Sequence, residues 1–482
     1  MSLHSSSRFE RSWKFACRHK MSLSIAALLT LSGTGVVVAQ ITAKDPGVRA
    51  GSVDAGGELS ALISTGADEY FLDGKSRFQE VESVTGGAHN GLGPRFNSDS
   101  CSSCHAQPAV GGSSPSTTAF PFIGPNPETQ VTSQNSLQNP FPSFITIDGP
   151  AREARFKFFL NRDGSMNTNN PDGGVHDLFV ISGRPDAGSC SISQPNFAHN
   201  LRIGNVIFRI PTPVFGAGLI ENIPDENILA NMNQLTQIKN AMGISGHPNR
   251  SGNDGTVTRF GWKAQNKSLE IFSGEAYNVE MGITNELFTN ERSSPDEAGL
   301  PANCKLNPTP EDITNTGAIQ TTGVPSDAVG FSMFMRLLAP PTPSTTSPGG
   351  APSIADGARV FSQIGCALCH TPTLKTGTSS ITPGLNNVNA NLYSDLLVHN
   401  MGNNLADGVS QGGAAGDEFR TAPLWGLGQR IFFLHDGRSN DLIDAINQHA
   451  GRGSEANTVI QLFQHRLNPQ QQQDLLNFLR SL

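Results

Sequence analysis

Apolar positions along this chain come in short, separated runs rather than one sustained period. The clearest helical stripe lies near the end, where Leu475, Leu476 and Leu479 recur on one face of a glutamine-rich segment. Ile354–Ile364 reads as another helix. A third is predicted from Pro224-Asp225-Glu226 through Ile228, Leu229, Met232 and Leu235, with a proline and acidic residues where a helix begins. Leu442, Ile446 and His449 also fall on one helical face, which turns the histidine toward the same side as the apolar residues. Ala151–Leu160 alternates polar and apolar and predicts a short strand, followed by turn-forming Asn161–Gly174. Strand signals elsewhere are sparse.

Punctuation divides the pattern. Residues 40–66 are small and polar and read as a loose leader, and Pro340–Pro352 is a Pro/Ser/Thr/Gly linker. With 51 glycines, 31 prolines and only 15% charged residues in 482, the chain reads as globular with much loop, not as a bundle or a disordered polymer. Residues 1–39 resemble an export signal: five basic residues precede an apolar run that ends at Val37-Val38-Ala39. The run is short for a membrane span, so cleavage is expected, and no later stretch is apolar enough to cross a bilayer. Removing the signal's net +4 from the formal −8 leaves −12, which disfavours nucleic acid and favours a basic or neutral small protein as partner.

Chemistry enters with the cysteines. Cys101-Ser102-Ser103-Cys104-His105 and Cys366-Ala367-Leu368-Cys369-His370 repeat one pattern at a distance of 265 residues. Two thiols three residues apart on a helical turn can bond the vinyl carbons of a haem while the next histidine, His105 or His370, reaches its iron. A zinc site built from two Cys-x-x-Cys pairs would need neither histidine. The expectation is therefore two covalently bound haem c groups and a mainly α architecture: two cytochrome c-like domains with long loops and few short strands. The first spans residues 67–339 with large loop insertions, and the second spans 353–482. Cys17 leaves with the signal. In an oxidising compartment Cys190 and Cys304 are better suited to a disulfide than to free thiols, although spacing alone does not bring them within reach.

Several phrases then fall into one order: the first haem motif, Arg209-Ile210-Pro211-Thr212-Pro213, Trp262 with Ser268-Leu269-Glu270, Glu280-Met281, the second haem motif, and His435-Asp436-Gly437. That order resembles the bacterial di-haem cytochrome c peroxidases and the methylamine dehydrogenase maturation enzyme. It is most similar to the di-haem oxidoreductase family of peroxidase-like proteins, sometimes labelled thiol oxidoreductases, through Phe260-Gly261-Trp262-Lys263-Ala264-Gln265 and Glu280-Met281-Gly282-Ile283-Thr284-Asn285.

The resemblance implies roles. A distal iron ligand fourteen residues after the His-Asp-Gly histidine falls on His449, with His399 and Met401 as rivals and His435 near a haem propionate. Glu280 falls over the open face of the N-terminal haem as the proton-moving carboxylate. Trp262 matches the tryptophan between the haems. A glutamine that accompanies the glutamate in relatives falls at Ile271 or Phe272, so that polar partner is absent by register. The segment that helps bind calcium between the haems falls at Arg430-Ile431-Phe432, and an arginine there counts against calcium. His199, Glu221 and His176 are further distal candidates.

Together these predict a periplasmic di-haem oxidoreductase. Electrons from a small cytochrome or copper protein would pass through a six-coordinate C-terminal haem to an N-terminal haem that reacts with peroxide or a related oxidant. A non-catalytic electron carrier and an oxygenase acting on an apolar substrate are the competing readings. No redox-type cysteine pair supports thiol chemistry.

Overall fold

The computed structural model describes residues 42–49, 55–60, 66–115, 124–131, 139–294, 299–313, 322–378 and 382–482; the expected signal, residues 1–39, lies outside them. Helices carry both cores, and the described strands form only two- and three-stranded ribbons, so the fold is mainly α.

The first core is built where helix Asp68–Phe78 crosses helix Asp327–Leu337, with helix Leu269–Met281 packed beside the latter. The crossing is close because of Gly74: a Cβ there would stand 2.3 Å from the Gly330 carbonyl oxygen. An alanine at Gly74 would wedge the helices apart at a cost of about 1–3 kcal/mol. Phe71, Phe78, Phe331, Phe334 and Tyr277 fill the space around the crossing. The buried Arg77 is paired with Asp327 at 3.0 Å, which settles a charge that would otherwise be stranded in this core.

The second core joins helix Gly350–Gln363 to the C-terminal helix Pro469–Ser481, Val360, Phe361 and Ile364 meeting the predicted stripe of Leu475, Leu476 and Leu479. Asn468 and Gln471 close the start of the C-terminal helix with a reciprocal capping box. Gly357 again permits a close crossing, since a Cβ would meet the Asp474 carbonyl oxygen at 2.0 Å. The first of these helices begins at Gly350, inside the expected linker and four residues before Ile354, because Gly349 takes a left-handed turn (φ 78°) ahead of it.

Three further expectations are revised. The helix opened by Asp225 stops at Met232, and Leu235, which the pattern placed in it, is a left-handed residue (φ 54°) that begins the separate helix Thr236–Met242. Asn161–Gly174 contains a strand, Met166–Pro171, paired with Phe158–Leu160; its polar residues give no apolar alternation to read. The leader is anchored where it is described: Asp45 pairs with the buried Arg480 at 2.6 Å and accepts a hydrogen bond from the Leu442 amide. Cys190 and Cys304 are joined in a disulfide. Among the described residues no helix is long and apolar enough to cross a membrane.

Candidate functional site

The first motif forms one helical turn, Cys101–Cys104, held by Ser103, whose hydroxyl donates to the Ser100 carbonyl at 2.7 Å. The His105 amide closes the turn on the Cys101 carbonyl, and its ring Nδ1 lies 3.0 Å from the Gly112 carbonyl oxygen. A ring nitrogen donating to a carbonyl leaves the opposite nitrogen, Nε2, with its lone pair free, the form a metal ligand requires. Burial pulls the His105 pKa down to about 4, so the ring is neutral. Cys101, Cys104 and His105 line one cavity.

Glu280 lines the same cavity from the last turn of helix Leu269–Met281. That turn is seated by glycines: Gly282 has φ 70°, and its neighbour Gly93 lies so near that a Cβ on it would be 2.3 Å from the Gly282 carbonyl. The Asn97 amide donates to Glu280 Oε2 at 2.8 Å. Glu153, from strand Glu153–Phe156, hydrogen-bonds Glu280 carboxyl to carboxyl. Burial works against a charge on Glu153, but the Arg155 guanidinium, 2.6 Å away, holds it below the usual carboxylate range. Burial and that neighbouring negative charge lift Glu280 well above it. Of the two carboxyls, Glu280 is the one that favours the protonated form. Gln265 also lines the cavity with a buried, unpartnered Oε1, so an amide is present although the register at Ile271 and Phe272 lacks one.

The second motif, at the end of helix Gly350–Gln363, repeats the histidine arrangement: His370 Nδ1 is 3.0 Å from the Tyr393 carbonyl oxygen. Burial, and next the proximity of His449, lower its pKa to about 4. His449 caps helix Leu442–Gln448, with Nδ1 2.7 Å from the Ala445 carbonyl oxygen, and burial also lowers its pKa. Leu442, Ala445 and Ile446 pack in the same core as Cys366 and Cys369.

A family model described as "Di-haem oxidoreductase, putative peroxidase" matches residues 158–482. The chain belongs to this di-haem oxidoreductase family. The match covers Trp262, Glu280, the second motif and His449 and begins after the first motif. Among solved structures, this di-haem oxidoreductase is similar to hydrazine synthase of Kuenenia stuttgartiensis, at 19% identity and a TM-score of 0.22, over 33% of this chain and 56% of that one. It is also similar to a MauG-like protein associated with microbial copper homeostasis, at 15% identity and a TM-score of 0.28, over 56% of this chain and 90% of that one. No curated protein matches.

The residues fit a haem at each motif of the di-haem oxidoreductase. All four motif cysteines are free, each motif histidine has Nδ1 tied to a carbonyl, and a cavity opens beside the first. Among the described residues no three His, Cys, Asp or Glu side chains converge as a metal cage, so the cysteine pairs do not build a shared zinc site.

Other expected residues fall elsewhere. Both ring nitrogens of His399 are engaged, by Glu455 at 2.8 Å and Asp395 at 3.0 Å, which leaves no lone pair for iron. Met401 packs in the cluster around Trp262. His199, His176 and Glu221 do not line the cavity. His199 is bonded to Gly164 and Arg202, His176 to Asp172 while stacked on Phe156, and Glu221 to Arg336. Trp262 is buried on the cavity wall, donates Nε1 to the Ile210 carbonyl at 2.8 Å, and meets the His435 ring edge-on at 6.3 Å. His435 itself stacks on Phe419 at 4.2 Å. Glu153, Asn97 and Gln265 were not among the residues expected at the site.

Proposed function

We propose that this di-haem oxidoreductase is an exported enzyme with haem c attached through Cys101/Cys104 and Cys366/Cys369. In this reading it reduces peroxide, or a related oxidant, at the N-terminal site. The observation that carries the proposal is an asymmetry: His370 has a second imidazole, His449, nearby, whereas among the described residues His105 is the only histidine lining its cavity and an acid, Glu280, lines it too. A pair of imidazoles suits an iron that only stores and passes electrons; a cavity with a protonated carboxyl suits one that reacts.

When bound, the haems supply the electron storage and the oxygen-binding position. Everything else falls to side chains. The Gly112 and Tyr393 carbonyls fix His105 and His370 in the tautomer that presents Nε2. Reduction of peroxide to two waters consumes two electrons and two protons. Glu280 delivers a proton to the departing oxygen, Asn97 orients its carboxyl, and Gln265 offers a free acceptor to a peroxide O–H. Trp262 shortens the path of electrons supplied by a small cytochrome or copper protein.

Carbon monoxide binding to the reduced protein tests this. One haem of two should bind it in the wild type, and both in His449→Ala. Binding at neither haem in the wild type would refute the enzyme and leave an electron carrier.

A further inference from the structure

One group beside the sites has no part in the mechanism above. Arg420 and Arg430 both pack against the Gly261–Trp262 segment; burial takes both to about 10, and the charge of Arg430 further lowers Arg420. Arg420 is 8% exposed and spends Nε on the Gly261 carbonyl at 2.9 Å. Arg430 lies over the Trp262 ring at 6.0 Å, and its Nε and Nη2 are buried without a partner. Among the described residues neither forms an ion pair with a carboxylate. Two like charges packed together in an interior, with donors unmet, are costly unless an anion joins them.

Their position says which anion. The segment around Arg430 touches both haem sites. Gln107, two residues past His105, donates to the Gln429 carbonyl at 3.2 Å, while Leu427 and Phe433 lie in the core that holds Cys366 and Cys369. Arg480 Nη1 donates to the Arg430 carbonyl at 2.8 Å and steadies the segment from that core. On the other side, the Arg420 amide donates to the Trp262 carbonyl at 2.8 Å, and Trp262 walls the first cavity. A haem carries two carboxylates on one edge, and a planar guanidinium fork matches a carboxylate better than any other cation.

We propose that Arg420 and Arg430 form a carboxylate clamp between the two haem sites, which holds haem propionates with fixed positive charge in place of a divalent cation. The clamp rests on the haem reading above. It neutralises the propionates, completes the donors of Arg430, and excludes calcium by charge. Arg420 and Arg430 act as positioning residues, through the haem edge and not on the oxidant.

The test is a spectroelectrochemical titration of the purified holoprotein and of Arg430→Gln, Arg420→Gln and Arg430→Lys, with haem content measured in each. A buried positive charge favours the reduced iron, so Arg430→Gln should shift at least one midpoint to more negative potential, and Arg430→Lys should return most of the shift. Chelation with EGTA, then added calcium, should leave wild-type midpoints where they were. If Arg430→Gln does not accumulate, Arg420→Gln reads the same clamp. Two haems with unmoved midpoints in the glutamine variants, or wild-type midpoints that follow calcium, would overturn the clamp alone. A wild-type protein without haem would overturn the clamp together with the reading of the sites.

Discussion

Glu153 and Glu280 are coupled through a carboxyl–carboxyl hydrogen bond, so replacing either one alters the other. In Glu280→Gln the amide oxygen can still accept from Asn97, but the side chain has no proton to deliver. A positioned acid or base contributes roughly 10²–10⁴ in rate, which at 1.36 kcal/mol per tenfold is about 3–5 kcal/mol of barrier. Peroxide cleavage should slow by that factor while the Soret band and carbon monoxide binding stay unchanged. Glu153→Gln acts in another dimension. Burial still raises the Glu280 pKa and Asp177 still adds to it, but the contribution of the Glu153 charge is gone, so the pKa falls from its elevated position. A rate that requires protonated Glu280 declines as pH rises through that pKa. The decline should therefore move to lower pH in Glu153→Gln, with the acid plateau retained. Stopped-flow peroxide reactions from acid to mildly alkaline pH would read both effects. A declining limb that stays in place or moves upward in Glu153→Gln, or near-normal turnover in Glu280→Gln, would refute Glu280 as the proton-holding acid coupled to Glu153.

Asp45→Asn should destabilise the fold by about 3–5 kcal/mol, because it strands Arg480, which is 1% exposed. Burial opposes the Asp45 charge, but Arg480 outweighs it and places the folded pKa below the unfolded value. The stabilisation is then present at neutral pH and lost as pH falls through the folded pKa, so urea midpoints of variant and wild type should converge in acid. Burial raises Glu128, on the cavity wall, to about 8, so its cost to the fold appears as pH climbs above the ordinary carboxylate range. Glu128→Gln should accordingly raise the melting temperature near pH 8 and leave it unchanged near pH 4 in thermal scans. Replacing Cys190 and Cys304 with serine opens a loop with a sequence separation of 114 and should cost about 4–5 kcal/mol in denaturant titrations.

The two Cys-x-x-Cys-His motifs were legible in the sequence because the thioether chemistry proposed for them demands one spacing, and Cys101, Cys104, Cys366 and Cys369 show it at a glance. The stripe of Leu475, Leu476 and Leu479 was legible for a similar reason: a helix buries one face, and the period is written locally. Glu153 was not, since its importance comes from meeting Glu280 across two elements far apart in the chain, and no local pattern records that meeting. Gln265 was overlooked because the count from relatives pointed to Ile271 and Phe272, while a turn at Ala264 (φ 51°) belongs to the loop that sets Gln265 beside the cavity. The strand Met166–Pro171 is exposed along most of its length, so neither face needed apolar residues and nothing distinguished it from a turn. The leader looked loose because its attachments, such as Asp45 to Arg480, the Arg49 amide to the Gly428 carbonyl and the Leu59 amide to the Leu337 carbonyl, reach residues far along the chain that no local pattern records.

The bond between Asp45 and Arg480 also bears on dissecting the molecule. A fragment that begins at Pro340 would contain Arg480 and lack Asp45, leaving a guanidinium sealed inside the core beside Phe433 with no counter-ion. Such a fragment regains its missing acid only if residues 42–49 are supplied, either fused to it or added as a separate peptide. Complementation by that short peptide is how the segment bearing the second Cys-x-x-Cys-His motif would be prepared alone.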